Sequence, residues 1–324
     1  MLNDSYDEFQ KMNYFGEKGI PFLFIISFDG TKVHVWQKDE IPEWIKFSVP
    51  LLKCVSRKRN SPNNFYFRAF PVSFNKYSES FFKAMDHIKK GNTYLINLTM
   101  PTNIELSLTL PQIYEYSKAP YKLLFADRFV CFSPEIFVRI NENTIRSFPM
   151  KGTIDASYPD AEKVILKDAK ETAEHNTIVD LIRNDLSIVA RKVSVKRFRY
   201  TDHINTNNGR IIQISSEISG ILHRKYRKQI GTIFYSLLPA GSVTGAPKEK
   251  TVEIIKEIES YDRGYYTGVF GWFDGQNVDS GVMIRFIERE NNRFIYKSGG
   301  GLTYLSDPVT EYEEMIKKVY VPFS

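Results

Sequence analysis

The sequence predicts an α+β fold, and three observations carry that reading. Segments of strand character outnumber helical ones. The long helical patterns interrupt the strands instead of alternating with them one for one, which disfavours a doubly wound parallel sheet. At 42% hydrophobic and 25% charged residues the composition is that of an ordinary globular protein with a large core, which excludes wholesale disorder and a small disulfide scaffold.

Residues 20–37 alternate around Asp29-Gly30, a hairpin signal. Residues 78–90 open on Ser78 and stop before Gly91, as a capped helix does. Strands are predicted at 94–98, 122–126, 129–132, 136–140, 144–148, 211–220, 266–273, 281–288 and 293–297. Further helices are predicted at 160–190, 223–237, 247–260 and 308–319. No internal repeat or low-complexity linker divides the chain, so residues 1–324 read as one domain.

Lys and Arg number 44 against 38 Asp and Glu, a net charge of only +6. The basic stretches 191–199 and 223–228 therefore read as solvated faces of a strand and a helix, and no nucleic-acid partner is expected. Cys54 and Cys131 are far apart and form no CxxC, which fits a reducing compartment. The first residues are acidic where a secretory signal would be basic, and the run Ile20–Ile26 is far below the roughly 20 residues that cross a bilayer. A soluble, cytoplasmic protein with no membrane contact is expected.

The informative chemistry begins at Asp168–Ala190, where helical spacing places Glu171 and Glu174 on one face and His175 one place beyond. A single acid pair of this kind is usually just surface. A second pair follows Asp307-Pro308, an N-cap with proline at the first helical position: Glu311 and Glu314, with Lys318 one turn later. Two matched acid pairs offer oxygen ligands to a hard divalent cation such as Mg²⁺, and the lack of a His/Cys cluster argues against zinc.

Ser298-Gly299-Gly300-Gly301 after an apparent strand is either a tight turn or a place where backbone N–H groups approach an anion. The stretch Ala240–Lys248 leads into a helix with proline at its start but lacks the Walker pattern, leaving Ser242, Thr244 and Gly245 at a helix amino terminus. Glu135 and Lys151 are weak candidates taken alone. Arg285, read as mid-strand among apolar neighbours, must face either a structural carboxylate or an anionic ligand.

Together these segments resemble the chorismate-utilising enzymes, and within them the aminodeoxychorismate synthase component I branch. The ordered motifs are Gly91–Leu98, Ser133-Pro134-Glu135, Pro149-Met150-Lys151-Gly152-Thr153, Asp168–Ala190, Ala240–Lys248, Arg263–Gly268, Ile284-Arg285 and Gly299–Lys318. The resemblance covers about residues 78–320, with a shortened sheet portion at 1–75. It implies two antiparallel β-sheets packed face to face with helices outside, as in anthranilate synthase component I, and a cleft that binds chorismate and Mg²⁺. On that mapping Glu174 and Glu314 ligate the metal, with Glu171 and Glu311 behind them or on metal-bound water. Lys318 and Gly299, Gly300 and Gly301 assist the ring carboxylate, Tyr266 and Arg285 hold the enolpyruvyl carboxylate, and Thr153, Ser242, Thr244 and Gly245 line the cleft.

Lysine at position 151 is similar to the C4-aminating branch, whereas anthranilate synthases, the alternative reading, typically carry alanine there. Leu95 stands where hydrating relatives place a basic lysine, which disfavours hydration. The resemblance implies Lys151 as a nucleophile that must be a neutral amine, and Glu135 as the proton donor to the C4 hydroxyl. Neither cysteine sits in a glutaminase context, so ammonia is expected from a glutamine amidotransferase subunit, with 4-amino-4-deoxychorismate as product for para-aminobenzoate and folate synthesis. Two departures stand out: Gln213 occupies the histidine place of the family's His-x-x-Ser strand ahead of Ser216, and Leu95 replaces a cleft glutamine. Feedback inhibition by tryptophan is not expected.

Overall fold

The computed structural model describes residues 2–52, 65–206 and 209–323. Cys54 lies outside them. In chain order the elements are α1 (Leu2–Lys18), β1 (Phe22–Ile26), β2 (Val33–Gln37), β3 (Ile45–Ser48), β4 (Phe67–Phe70), α2 (Phe74–Lys89), β5 (Leu95–Leu106), α3 (Leu110–Tyr116), β6 (Tyr121–Phe125), β7 (Phe129–Ser133), β8 (Ile136–Asn141) and β9 (Thr144–Ser147). They continue with β10 (Met150–Asp155), α4 (Ala161–Lys167), α5 (Ala169–Val189), β11 (Ala190–Thr206), β12 (Gly209–Leu222), α6 (Ile230–Leu237), β13 (Gly245–Ala246), α7 (Lys248–Ile258), β14 (Val269–Phe273), β15 (Val278–Val282), β16 (Phe286–Glu290), β17 (Arg293–Leu302) and α8 (Pro308–Lys317).

The strands form two antiparallel sheets. The first runs β10-β12-β9-β8-β15-β14-β1-β2, with β11 also on β12, and the second runs β13-β5-β17-β16-β7-β6-β3, with β4 on β5. Strand β1 shows why they stack. All five of its residues are buried, because Phe22, Phe24 and Ile26 face α1 and α6 while Leu23 and Ile25 face the other sheet. Burial on both faces turns the expected alternation into the continuous apolar run that the sequence displays. Between the sheets, Leu23, Ile25, Phe270 and Trp272 meet Leu123, Phe129, Cys131 and Phe286. Helices α2, α7 and α8 cover the outer face of the second sheet. The α+β architecture of two face-to-face sheets with helices outside is therefore as expected. No helix among the described residues is long and apolar enough to cross a membrane.

Several boundaries differ from the sequence reading. The amino-terminal portion opens with a helix, α1, whose Phe9, Met12 and Phe15 are buried against the first sheet. The helix expected at 78–90 starts at Phe74, capped by Ser73 instead of Ser78. The pattern at 160–190 is two helices that meet at Asp168, which ends α4 and caps α5 by accepting the N–H of Glu171. Residues 223–229 form turns ahead of a shorter α6. The strand expected at 281–288 is two strands in different sheets, with Arg285 at the bend between them.

Candidate active site

Two chain crossings build one wall of the cleft. Strand β7 leaves the second sheet and becomes β8 of the first, while β15 of the first becomes β16 of the second. The crossings stay paired: the N–H of Val282 donates to the Glu135 carbonyl at 3.1 Å, and the N–H of Phe132 donates to the Arg285 carbonyl at 3.2 Å. Glu135 and Arg285 are thereby fixed side by side at the corner. Arg285 adopts φ of +52°, a left-handed conformation costly for a long side chain and typical of functional sites.

Arg285 makes no ion pair among the described residues. Its guanidinium packs over the Tyr320 ring at 5.3 Å and donates to that phenol at 3.3 Å. The Glu135 carboxyl lies within its field, and Arg285 works to lower the pKa of that group. Tyr266 is buried below, and burial, opposed by Arg263 and Arg285, pushes its phenol up. Ser242 donates a short hydrogen bond to Oε1 of Glu135. Burial raises the Glu135 carboxyl, and Ser242, Arg285 and Lys318 only partly offset it. A glutamate in this state suits proton donation.

The opposite wall is α5 against β10. Between Met150, which pairs with Ser215, and Thr153, which pairs with Gln213, the register slips. Lys151 and Gly152 together face the single residue Ile214, a bulge that Gly152 accommodates with φ of +86°. The bulge turns Lys151 toward α5, where Nζ meets Oε2 of Glu174 at 2.8 Å. Burial works against the Lys151 ammonium, but Glu174, Glu314 and Glu171 outweigh it and raise its pKa. The neutral amine that the sequence reading required is not the resting state here; three carboxylates hold the proton on. The side chain of Thr153 lies outside the described ones.

The influence of Glu314 on Lys151 and on Glu171 shows that the two acid helices converge. The caps form as expected: Asp307 accepts the N–H groups of Val309 and Thr310, with Pro308 at the first helical position of α8. Lys318 pairs with Glu314 at 2.7 Å and donates to the Gly299 carbonyl at 2.8 Å. Burial lowers the Lys318 pKa, with Arg285 and Lys151 adding to the effect against Glu314. Glu311 is buried and accepts from Ser306 at 2.8 Å. Glu171 is raised by burial foremost, and its Oε2 is buried with no hydrogen-bond partner among the described residues.

The three glycines are a strand, not a loop or a tight turn: Gly299, Gly300 and Gly301 pair with Thr99, Leu98 and Asn97 of β5. Their service to the site is room. A Cβ on Gly300 would lie 3.5 Å from Oε2 of Glu311 and 3.7 Å from Nζ of Lys318, and one on Gly152 would lie 2.7 Å from Oε2 of Glu171. Gly245 is structural, since a Cβ there would sit 1.9 Å from the Leu95 carbonyl. Thr244 turns away from the cleft and donates to the Ala240 carbonyl at 2.8 Å. Helix α7 starts at Lys248, one residue after the expected place, and Lys248 is bound to Asp185 at 2.9 Å. Leu95 is buried, its Cδ1 3.3 Å from where a Gly301 Cβ would be.

The residues fit a hard cation. The donors are all carboxylate oxygens, one is buried and unpartnered, and two glycines leave space where a side chain would crowd them. Among the described residues no three such groups already surround a common point, but Mg²⁺ needs only one or two protein carboxylates and keeps its waters.

A buried network that the sequence reading did not identify backs this wall. His175 is 1% exposed, its Nε2 lies 2.7 Å from the Ser216 hydroxyl, and burial with Arg199 nearby lowers its pKa to about 4. Its sequence signal was adjacency to Glu174, but its partners lie on other elements. On β17, Tyr296 and Ser298 share the face of Gly300, and the Ser298 hydroxyl is buried with no hydrogen-bond partner among the described residues.

A family model described as chorismate binding enzyme matches residues 30–324. An uncharacterized PabA-like protein of Pasteurella multocida is 49% identical over 97% of both chains. Aminodeoxychorismate synthase component 1 of Bacillus subtilis is 31% identical over 83% of this chain and 59% of its own. The menaquinone-specific isochorismate synthase of Escherichia coli superposes with a TM-score of 0.71 over 98% of this chain and 81% of its own, at 14% identity, a likeness of fold alone. The chain belongs to the chorismate-binding enzyme family.

Proposed function

We propose that the protein aminates chorismate at C4, giving 4-amino-4-deoxychorismate, with ammonia delivered by a glutamine amidotransferase subunit. The carrying observation is Lys151, which a bulge turns into the cleft against Glu174. An amine nucleophile at this place is what C4 chemistry needs and C2 amination does not.

Glu174 and Glu314 would hold Mg²⁺, with Glu171 and Glu311 behind them or on its waters, and the ion would supply charge that neutralises the ring carboxylate. Arg285 and Tyr266 bind the enolpyruvyl carboxylate at the sheet corner, and Ser242 orients Glu135. Lys151 gives a proton to solvent, and the neutral amine Nζ forms a bond to C2. The ring double bonds shift, and the C4 hydroxyl leaves as water with the proton of Glu135. Ammonia then bonds to C4, the double bonds shift back, and the C2–N bond breaks to free Lys151.

The C4 reading is supported by the 31% identity to an aminodeoxychorismate synthase component 1. Incubating the protein with chorismate, Mg²⁺ and ammonium tests it. Chromatography should show a new amino dicarboxylate that keeps the enolpyruvyl group. Release of pyruvate with fluorescent anthranilate would contradict it.

A further inference from the structure

The segment that follows α8 passes over the corner that holds Arg285, and it is tied down on both sides of Tyr320. Ahead of it the Val319 N–H donates to the Ile316 carbonyl at 2.9 Å, and beyond it the Pro322 carbonyl accepts the Lys118 N–H at 2.9 Å. Phe323 is 3% exposed and packs edge-on against Phe65 at 4.9 Å and Tyr116 at 6.0 Å. The Tyr320 side chain is itself 44% exposed, so burial does not account for its place. What it meets is the Arg285 guanidinium, which lies 5.3 Å from the ring centroid and donates from Nε to the phenol oxygen at 3.3 Å.

That hydrogen bond decides which edge of the guanidinium stays open. A guanidinium grips a carboxylate with two parallel N–H groups, either side-on through Nε and one terminal nitrogen or end-on through both terminal nitrogens. Tyr320 takes the Nε–H, and with it the side-on fork. Neither Nη1 nor Nη2 of Arg285 has a hydrogen-bond partner among the described residues. The main chain of Arg285 is already fixed, since its carbonyl accepts the Phe132 N–H at 3.2 Å. Rotation of the side chain is the freedom that remains, and Tyr320 restricts it before any ligand arrives. The ring face holds the same cation without consuming an N–H.

We propose that Tyr320 is a positioning residue: it fixes the Arg285 guanidinium so that Nη1 and Nη2 together present an end-on fork to a carboxylate in the cleft. Tyr320 acts through Arg285 and leaves the ligand to it. That the carboxylate is the enolpyruvyl one of chorismate rests on the proposed function; the hold on Arg285 does not.

Nε–H spectra of ¹⁵N-arginine-labelled protein test the hold, with R285K assigning the signal. Y320F keeps the ring and the anchored segment, and it should shift that signal and speed its exchange with water. Calorimetry with chorismate tests the consequence. Y320F should weaken binding by about threefold to tenfold, and Y320L, which also removes the ring face, should weaken it further. In turnover with ammonium and Mg²⁺ the loss should appear in KM, with kcat within about twofold, because the fork grips substrate and transition state alike. The Y320F loss in kcat/KM should vanish in an R285K background, since an ammonium has no edge to select. An Nε–H signal unmoved by Y320F, wild-type affinity in Y320F, a loss in kcat at unchanged KM, or an equal Y320F loss with R285K present each overturns the proposal. Wild-type protein that shows the Nε–H shift on Y320F substitution but does not bind chorismate supports the hold and overturns the proposed function instead.

Discussion

Lys151 and Glu174 form an ion pair of 2.8 Å between a strand bulge and the helix packed on it, with 23% of the lysine side chain and 6% of the glutamate side chain exposed. The pair couples the nucleophile to a carboxylate proposed to hold the metal. A lysine so placed stays protonated until another cation relieves the acids around it.

Replacing Lys151 with alanine should therefore abolish the covalent route and leave chorismate affinity nearly intact. We expect amination to fall by about 10²-fold or more, with binding followed by calorimetry. An unchanged rate would remove the nucleophile from the scheme.

In the proposed reaction Glu135 acts in its protonated form. Because its pKa is raised, kcat/KM should hold at lower pH and decline as pH rises through that value. E135Q should lose about 10²–10⁴-fold in rate and the alkaline limb with it. S242A removes a hydrogen bond that favours the ionised form, so it should move the limb to higher pH; movement to lower pH would contradict the assignment of Glu135.

Divalent binding should be visible in stability. Saturating Mg²⁺ at 100 times its dissociation constant adds about 2.7 kcal/mol, read as a higher Tm that EDTA reverses. E174Q and E314Q should each lose most of that shift. A wild-type Tm indifferent to Mg²⁺ would remove the metal site.

Gly152 has no alternative. Alanine there must adopt φ of +86° and press on Oε2 of Glu171, so G152A should cost about 1–3 kcal/mol by thermal unfolding. A neutral result would show that the bulge relaxes without loss.

The acid pairs were legible because helical spacing and the Asp307-Pro308 cap are local signals, and both acid helices formed where the pattern placed them. Arg285 was misread as mid-strand because a strand that changes sheets keeps its alternation through the bend. The glycine run was ambiguous because its partner, β5, lies about 200 residues away, a distance no local pattern spans. Helix α1 escaped notice since its buried Phe9, Met12 and Phe15 stand among charged residues and its packing on α6 is long-range. The His175–Ser216–Arg199 network was invisible for the same reason. Serine and histidine carry no sign of which distant hydroxyl or peptide they will meet.

The position of the new nitrogen decides most. With ¹⁵N-ammonium, chorismate and Mg²⁺, NMR of the product should place ¹⁵N on a saturated ring carbon at C4, beside an intact enolpyruvyl ether. Nitrogen on an aromatic carbon next to the carboxylate, with pyruvate released, would contradict it.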